Sequence, residues 1–208
     1  MYKRFLGIFL MGLVIKMMDD YIDKEIDLLK GQWNLSLIFK NAILPYALLL
    51  LIFSLYFNFS EAVTIFAASY FLGMASELKE TLPSGLMAWQ EGIILLILIT
   101  YITSVQESLA AILIVITIQL IDDFLDLKKD KYIDNRNLVN KLGKFNASLI
   151  TLALMLISLK YFLEKSLYCY SALICLYILL YLIEKKYGKD ESVNKYNTFA
   201  YHNNNYQL

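Results

Sequence analysis

Apolar residues gather into seven runs, at positions 5–18, 37–59, 62–75, 92–104, 109–121, 147–163 and 167–183. The runs are long and unpatterned. The pattern predicts an all-α, polytopic transmembrane helix bundle of about seven membrane helices. Several runs fall short of the roughly 20 residues that a spanning helix needs, and uncharged polar residues at their ends (Thr103, Ser104, Gln106, Gln119) extend some of them. The breaks alternate in character. Those at 58–61, 104–108 and 164–166 are minimal, whereas 19–36, 76–90 and 122–146 are long and polar. Residues 1–185 read as one transmembrane domain, and 186–208, charged and then Asn- and Tyr-rich, as a polar, disordered cytoplasmic tail.

Composition supports a membrane setting. The 208 residues are 59% hydrophobic with a mean hydropathy of +0.54, against about 45–50% apolar in a soluble domain. The formal net charge is zero, so no nucleic-acid partner is implied. Cys169 and Cys175 lie in an apolar run at a spacing that fits neither a redox pair nor a zinc site, and they read as packing residues. The lone His202 is in the polar tail and reads as solvated. The basic start followed by an apolar run has no small-residue cleavage site and reads as a retained helix. Of 19 Lys and Arg, only Lys3, Arg4, Lys160 and Lys165 fall on the side of the short connections. The long loops are therefore expected in the cytoplasm and the N-terminus outside, in an integral protein of the cytoplasmic membrane.

Candidate chemistry enters with two acidic stretches of matched form. Asp19-Asp20 is followed by Asp23 and Asp27, and Asp122-Asp123 by Asp126 and Asp130. On a helix these positions form a column on one face. Each column ends an apolar run, and four helices separate them, so both are expected on one membrane face. Like charges this close repel unless a cation lies among them. Hard divalent ions held by carboxylates, Mg²⁺ alongside substrate phosphates, are the obvious partner. The expected metal ligands are Asp19, Asp20, Asp23, Asp27, Asp122, Asp123, Asp126 and Asp130, with Asp20, Asp23, Asp122 and Asp126 as the catalytic group. Lys24, Lys128, Lys129 and Arg136 are the expected contacts to a bound diphosphate, with Lys131 nearby. Asn135, Arg136 and Asn137 fit a plain polar turn equally well. The isolated Glu61, Glu77, Glu91 and Glu107, at helix ends, read as surface residues.

These residues resemble a known family. The first stretch is similar to the N-D-x-x-D-x-x-x-D motif of the UbiA superfamily of intramembrane prenyltransferases, with Asp19 in place of Asn, and the second to that family's second motif. Residues 135–143, which include Arg136, Leu138, Val139, Leu142 and Gly143, resemble its downstream R-T-L-P-V-x-L-G phrase. The resemblance covers roughly residues 5–185 and implies a shortened UbiA-like bundle. It implies Mg²⁺-dependent transfer of an isoprenyl group from an isoprenyl diphosphate to a hydrophobic acceptor within the lipid bilayer. A UbiA-type terpene cyclase, or a non-catalytic lipid-diphosphate-binding or partner subunit, would keep the same motifs, and the shortened chain is compatible with a homo-oligomer or a partner subunit. A cation transporter would place its acids near mid-membrane rather than at helix ends.

Overall fold

A chain this apolar, with Gly and Pro confined to a few positions, satisfies its backbone most simply as helix. A computed structural model of the protein describes residues 2–30, 33–74, 81–127 and 137–187. Within them the chain forms α1 (Tyr2–Ile22), α2 (Lys24–Lys30), α3 (Ser36–Phe39), α4 (Ile43–Phe57), α5 (Phe59–Met74), α6 (Ala88–Ile102), α7 (Val105–Asp126), α8 (Leu138–Leu142), α9 (Lys144–Tyr161) and α10 (Leu163–Tyr187). A 3₁₀ turn, Lys40–Ala42, joins α3 to α4. Pro45 falls in the first turn of α4, where its missing N–H costs no helix bond. Leu82-Pro83-Ser84-Gly85 forms a tight turn closed by the Gly85 amide on the Leu82 carbonyl at 2.8 Å, and Gly85 takes a positive φ of 80°.

Every apolar run is helical, but the expected seven membrane helices are not there. Among the described residues, three helices are long and apolar enough to cross a membrane: Ser36–Phe57, Val105–Asp126 and Leu163–Tyr187. They make this an integral membrane protein. Two others, Phe59–Gly73 and Ala88–Ile102, are apolar but shorter, and 16 residues of α5 reach only about 24 Å. The charges Lys3, Arg4, Lys16, Asp19 and Asp20 break up the apolar character of α1, and α9 opens on Lys144. Counting apolar runs overestimates the spans because it ignores length and the charges at run ends. Helix α10 continues past residue 185 to Tyr187, and residues 188–208, read as a tail, lie outside the described residues.

Apart from α6, the described long helices fall into two halves of matching order, α1 to α5 and α7 to α10. At an offset of 103 residues α1 maps onto α7, and their buried faces coincide position by position: Gly7 with Ala110, Ile8 with Ala111, Met11 with Ile114, Val14 with Thr117, Met17 with Leu120. The offset also carries α3 onto α8, and Lys40 onto Gly143, which share a positive φ. One extra residue then precedes α9, and from there the offset is 104. Ser54 pairs with Ser158, Glu61 with Lys165, Ala62 with Ser166 and Ala68 with Ala172, all buried. Each half's first helix packs on the other half's last: α1 on α10 and α7 on α5. The core lies where these four meet, among Ile8, Met11, Ile65, Ala111, Ile114 and Cys169. Helices α4, α6 and α9 lie against it from outside. Gly7 lets α1 approach α4 closely: a Cβ there would lie 3.2 Å from Asn58, and the Ser54 hydroxyl donates to the Gly7 carbonyl at 2.7 Å.

Candidate functional site

The first acidic stretch runs across a junction of two helices, with the Asp23 N–H on the Asp19 carbonyl and the Asp27 N–H on the Asp23 carbonyl, each at 2.9 Å. Helix α1 stops at Ile22, Asp23 sits in a bend, and α2 begins at Lys24. Asp20 is buried and accepts the Leu35 backbone N–H at 2.7 Å. The Asn34 amide donates to Asp27 at 2.7 Å, while its oxygen accepts the Ser36 N–H at 2.7 Å. Leu35 packs with Met17, Ile43 and Ala47. The carboxylates therefore fasten the returning segment 33–36 to the end of α1. Lys16, one turn back, donates to Asp19 at 3.0 Å and lies 2.9 Å from Asp20. It is the cation that the doubled Asp requires, supplied by the same helix. Burial pushes the Asp20 carboxyl above its ordinary value against the pull of Lys16, and burial likewise raises Asp27, partly offset by the Asn34 hydrogen bond.

The second stretch repeats this device at the same offset. Asp123 accepts the Leu138 backbone N–H at 2.8 Å, across 15 residues, the separation of Asp20 from Leu35. Asn137, the counterpart of Asn34, donates to the Asp123 carbonyl at 2.9 Å and caps α8 by accepting the Asn140 N–H at 3.1 Å. The two halves differ in their counter-groups. Where α1 has Lys16, α7 has the neutral Gln119. Asp122 instead accepts the Tyr177 hydroxyl of α10 at 2.6 Å. Lys16 and Asp126 both lie within electrostatic reach of that phenol. The bundle thus brings Asp19, Asp20, Asp122, Asp123 and Asp126 to one end, with Lys16 and Tyr177 between the halves.

Several expected residues are placed differently. Among the described residues no three His, Cys, Asp or Glu side chains are grouped to hold a metal ion. Asp20, Asp27, Asp122 and Asp123 are turned toward the chain's own donors. Lys24 opens α2, half-buried. Asp130, Lys128, Lys129, Lys131, Asn135 and Arg136, like Glu77, lie outside the described residues. Lys16, Tyr177, Asn34 and Asn137 are the residues that sequence reasoning missed. Their signal was present: Asn-Leu follows Asp20 and Asp123 at one distance, and Lys16 stands one turn before the doublet.

The reading of Glu61 and Glu107 as surface residues is also corrected. Glu61 is 2% exposed, and it joins Arg4 and the buried Lys165. Glu107 pairs with Lys165 at 2.7 Å. Glu91 lies outside the core and accepts from Tyr70 at 2.7 Å and Ser84 at 2.6 Å.

Comparison of the chain with protein-family models, with curated proteins and with solved structures found no match. The resemblance to the UbiA superfamily is corrected on two counts: no family model matches the chain, and three described helices, rather than about seven, can span a membrane. The shared wording of the acidic stretches comes from a repeated local device, a helix-end carboxylate that fastens a returning segment.

Proposed function

We propose that this membrane protein acts on an isoprenyl diphosphate at the acidic end of its bundle, transferring the isoprenyl group to a hydrophobic acceptor in the bilayer. The observation that carries this reading is the pair of matched acidic helix ends, one holding the Lys16 ammonium and the other the Tyr177 phenol. In such a transfer the allylic C–O bond breaks and its electron pair leaves with the diphosphate. The acceptor then bonds to the allylic carbon and loses a proton. Carboxylates in a region of low dielectric favour the positive charge that develops on the allyl group. Lys16 uses two of its three N–H donors on Asp19 and Asp20, which leaves one for a phosphate oxygen. The Tyr177 hydroxyl and Lys24 are the next donors. The aromatic residues, 16 Tyr and 12 Phe, provide ring faces for an isoprenyl cation.

A second reading, a non-catalytic subunit that binds a lipid diphosphate, is favoured by one specific observation. Asp20, Asp122 and Asp123 are already satisfied by Leu35, Tyr177 and Leu138. One experiment separates the two. Purified protein in liposomes is incubated with isoprenyl diphosphates of several lengths and membrane lipid extract, with divalent ions or with chelator, and products are read by mass spectrometry. Transfer predicts a prenylated lipid and release of diphosphate, with Lys16→Met slowing turnover ~10²-fold, the size of losing one preorganised electrostatic group. Tight binding with no product from any donor establishes the subunit reading, and absence of both binding and product overturns the proposal.

A further inference from the structure

At the end of the bundle away from the acidic stretches, four charged side chains form a closed ring. Each is the third residue of its helix: Arg4 of α1, Glu61 of α5, Glu107 of α7 and Lys165 of α10. Arg4 donates to Glu61, Glu61 lies 3.0 Å from Lys165, Lys165 lies 2.7 Å from Glu107, and Glu107 lies 3.9 Å from Arg4. The signs alternate around the ring. Glu61 and Lys165 are 2% and 3% exposed, so the contact between them excludes water. The Lys165 ammonium is completed by the Thr64 hydroxyl at 3.1 Å and the Glu107 carbonyl at 3.0 Å. Glu164 at the rim meets Arg4 at 3.0 Å.

The ring takes two residues from each half. Arg4 and Glu107 occupy equivalent positions, and so do Glu61 and Lys165. Two of the four contacts are within a half, Arg4 with Glu61 and Lys165 with Glu107. The other two cross between halves. If two copies of the first half met in the same geometry, Arg would face Arg and Glu would face Glu. Two copies of the second half would set Glu against Glu and Lys against Lys. Only the mixed pair alternates.

We infer that Arg4, Glu61, Glu107 and Lys165 are specificity-determining residues for the pairing of the two halves, admitting the mixed pair and rejecting like pairs between chains. Halves of one architecture with matching buried faces can also pair like with like between copies, and unpaired like charges in a low-dielectric contact are an effective barrier to it. By fixing α1 against α7 at this end, the ring also sets the apposition of the acidic stretches at the other. The inference is independent of the transfer reading.

The test uses the full chain in detergent, with thermal midpoint and oligomeric state as readouts. The double variant Arg4→Glu/Glu61→Lys keeps an opposite pair inside the first half but makes both cross-half contacts repulsive. Its midpoint should drop by about 10 °C or more, the shift expected when buried charges lose their partners in a chain of this size, and it should stay monomeric, because every pairing between chains is repulsive in it as well. The quadruple variant Arg4→Glu/Glu61→Lys/Glu107→Arg/Lys165→Glu restores alternation with every sign reversed. It should return to within a few degrees of the original and be monomeric, an outcome that generic damage from four substitutions would not give. A double variant that is as stable as the original, or one that forms dimers against like charges, overturns the inference. So does a quadruple variant no better than the double.

Discussion

Asp27 shows how a carboxylate can be bound by its own chain and still be uneasy. Burial holds its carboxyl above the ordinary carboxylate range, and the Asn34 amide only partly offsets this. A folded-state value above the unfolded one means that the folded chain holds the proton more tightly. The resulting stability is fully present at low pH and is lost as pH rises from the ordinary Asp range through the raised folded value. Mild acidification should therefore favour the folded chain at this position, the reverse of the usual effect of acid on paired carboxylates. Carboxyl-carbon titration by NMR on Asp-labelled protein should place Asp27 above Asp in an unfolded peptide. In the Asp27→Asn variant, the pH dependence of the Leu35 environment should flatten. A titration at or below the peptide value would show that Asn34 outweighs burial.

The short elements after each acidic stretch are the clearest product of the repeat, and they carry an asymmetry that can be measured. Helix α3 ends on Lys40 at φ 49° and ψ −129°, and its counterpart α8 ends on Gly143 at φ 81°. Both amides close the last turn, on the Ser36 carbonyl and at 2.9 Å on the Val139 carbonyl. A side chain is strained at such an angle, and glycine is not. Lys40→Gly should stabilise the protein by about 1 kcal/mol, and Gly143→Ala should destabilise it by a similar amount, read from paired thermal or denaturant unfolding. Equal and small effects at both sites would mean that the two caps do not share a conformation. At this scale the sequence was partly legible. The apolar runs located every long helix, and the spacing of Asp marked both helix ends. The 103-residue register was hidden because Lys40 stands where the second half has glycine, and because the extra residue before α9 moves the register to 104. The charge ring was hidden for a further reason. Glu61, Glu107, Lys165 and Arg4 look like ordinary polar helix starts, and only the packing of α1, α5, α7 and α10 on one core turns them inward.

At the scale of the whole molecule, the ion pairs among the described residues gather in two groups, Lys16 with Asp19 and Asp20, and the ring of Arg4, Glu61, Glu107 and Lys165. The core between them is Met11, Ile65, Ala68, Ile114 and Ala172. Parallel α1 and α7 must deliver both acidic stretches to one end and the charge ring to the other. This arrangement depends on the core rather than on the number of spans, so the correction from about seven spans to three leaves it standing. Helices as short as α5, with 16 residues, cannot cross a hydrocarbon layer of about 30 Å unaided. They persist because α1, α7 and α10 shield them and because the ring satisfies their buried N-terminal charges. The distribution of Lys and Arg along the sequence, which puts the long loops in the cytoplasm as an expectation, gives a test of sidedness. In a background with Cys169 and Cys175 replaced by alanine, cysteines at Glu25 and Leu142 should react with an impermeant reagent only from the cytoplasm. Cysteines at Phe59 and Tyr161, both more than half exposed at the other end, should react only from outside. Labelling of positions 25 and 142 from opposite sides would break the equivalence of the two halves and the shared acidic end with it. Labelling of all four from the cytoplasm would keep the halves but place the charge ring, with its buried Glu61 and Lys165, on the wrong face for an N-terminus held outside.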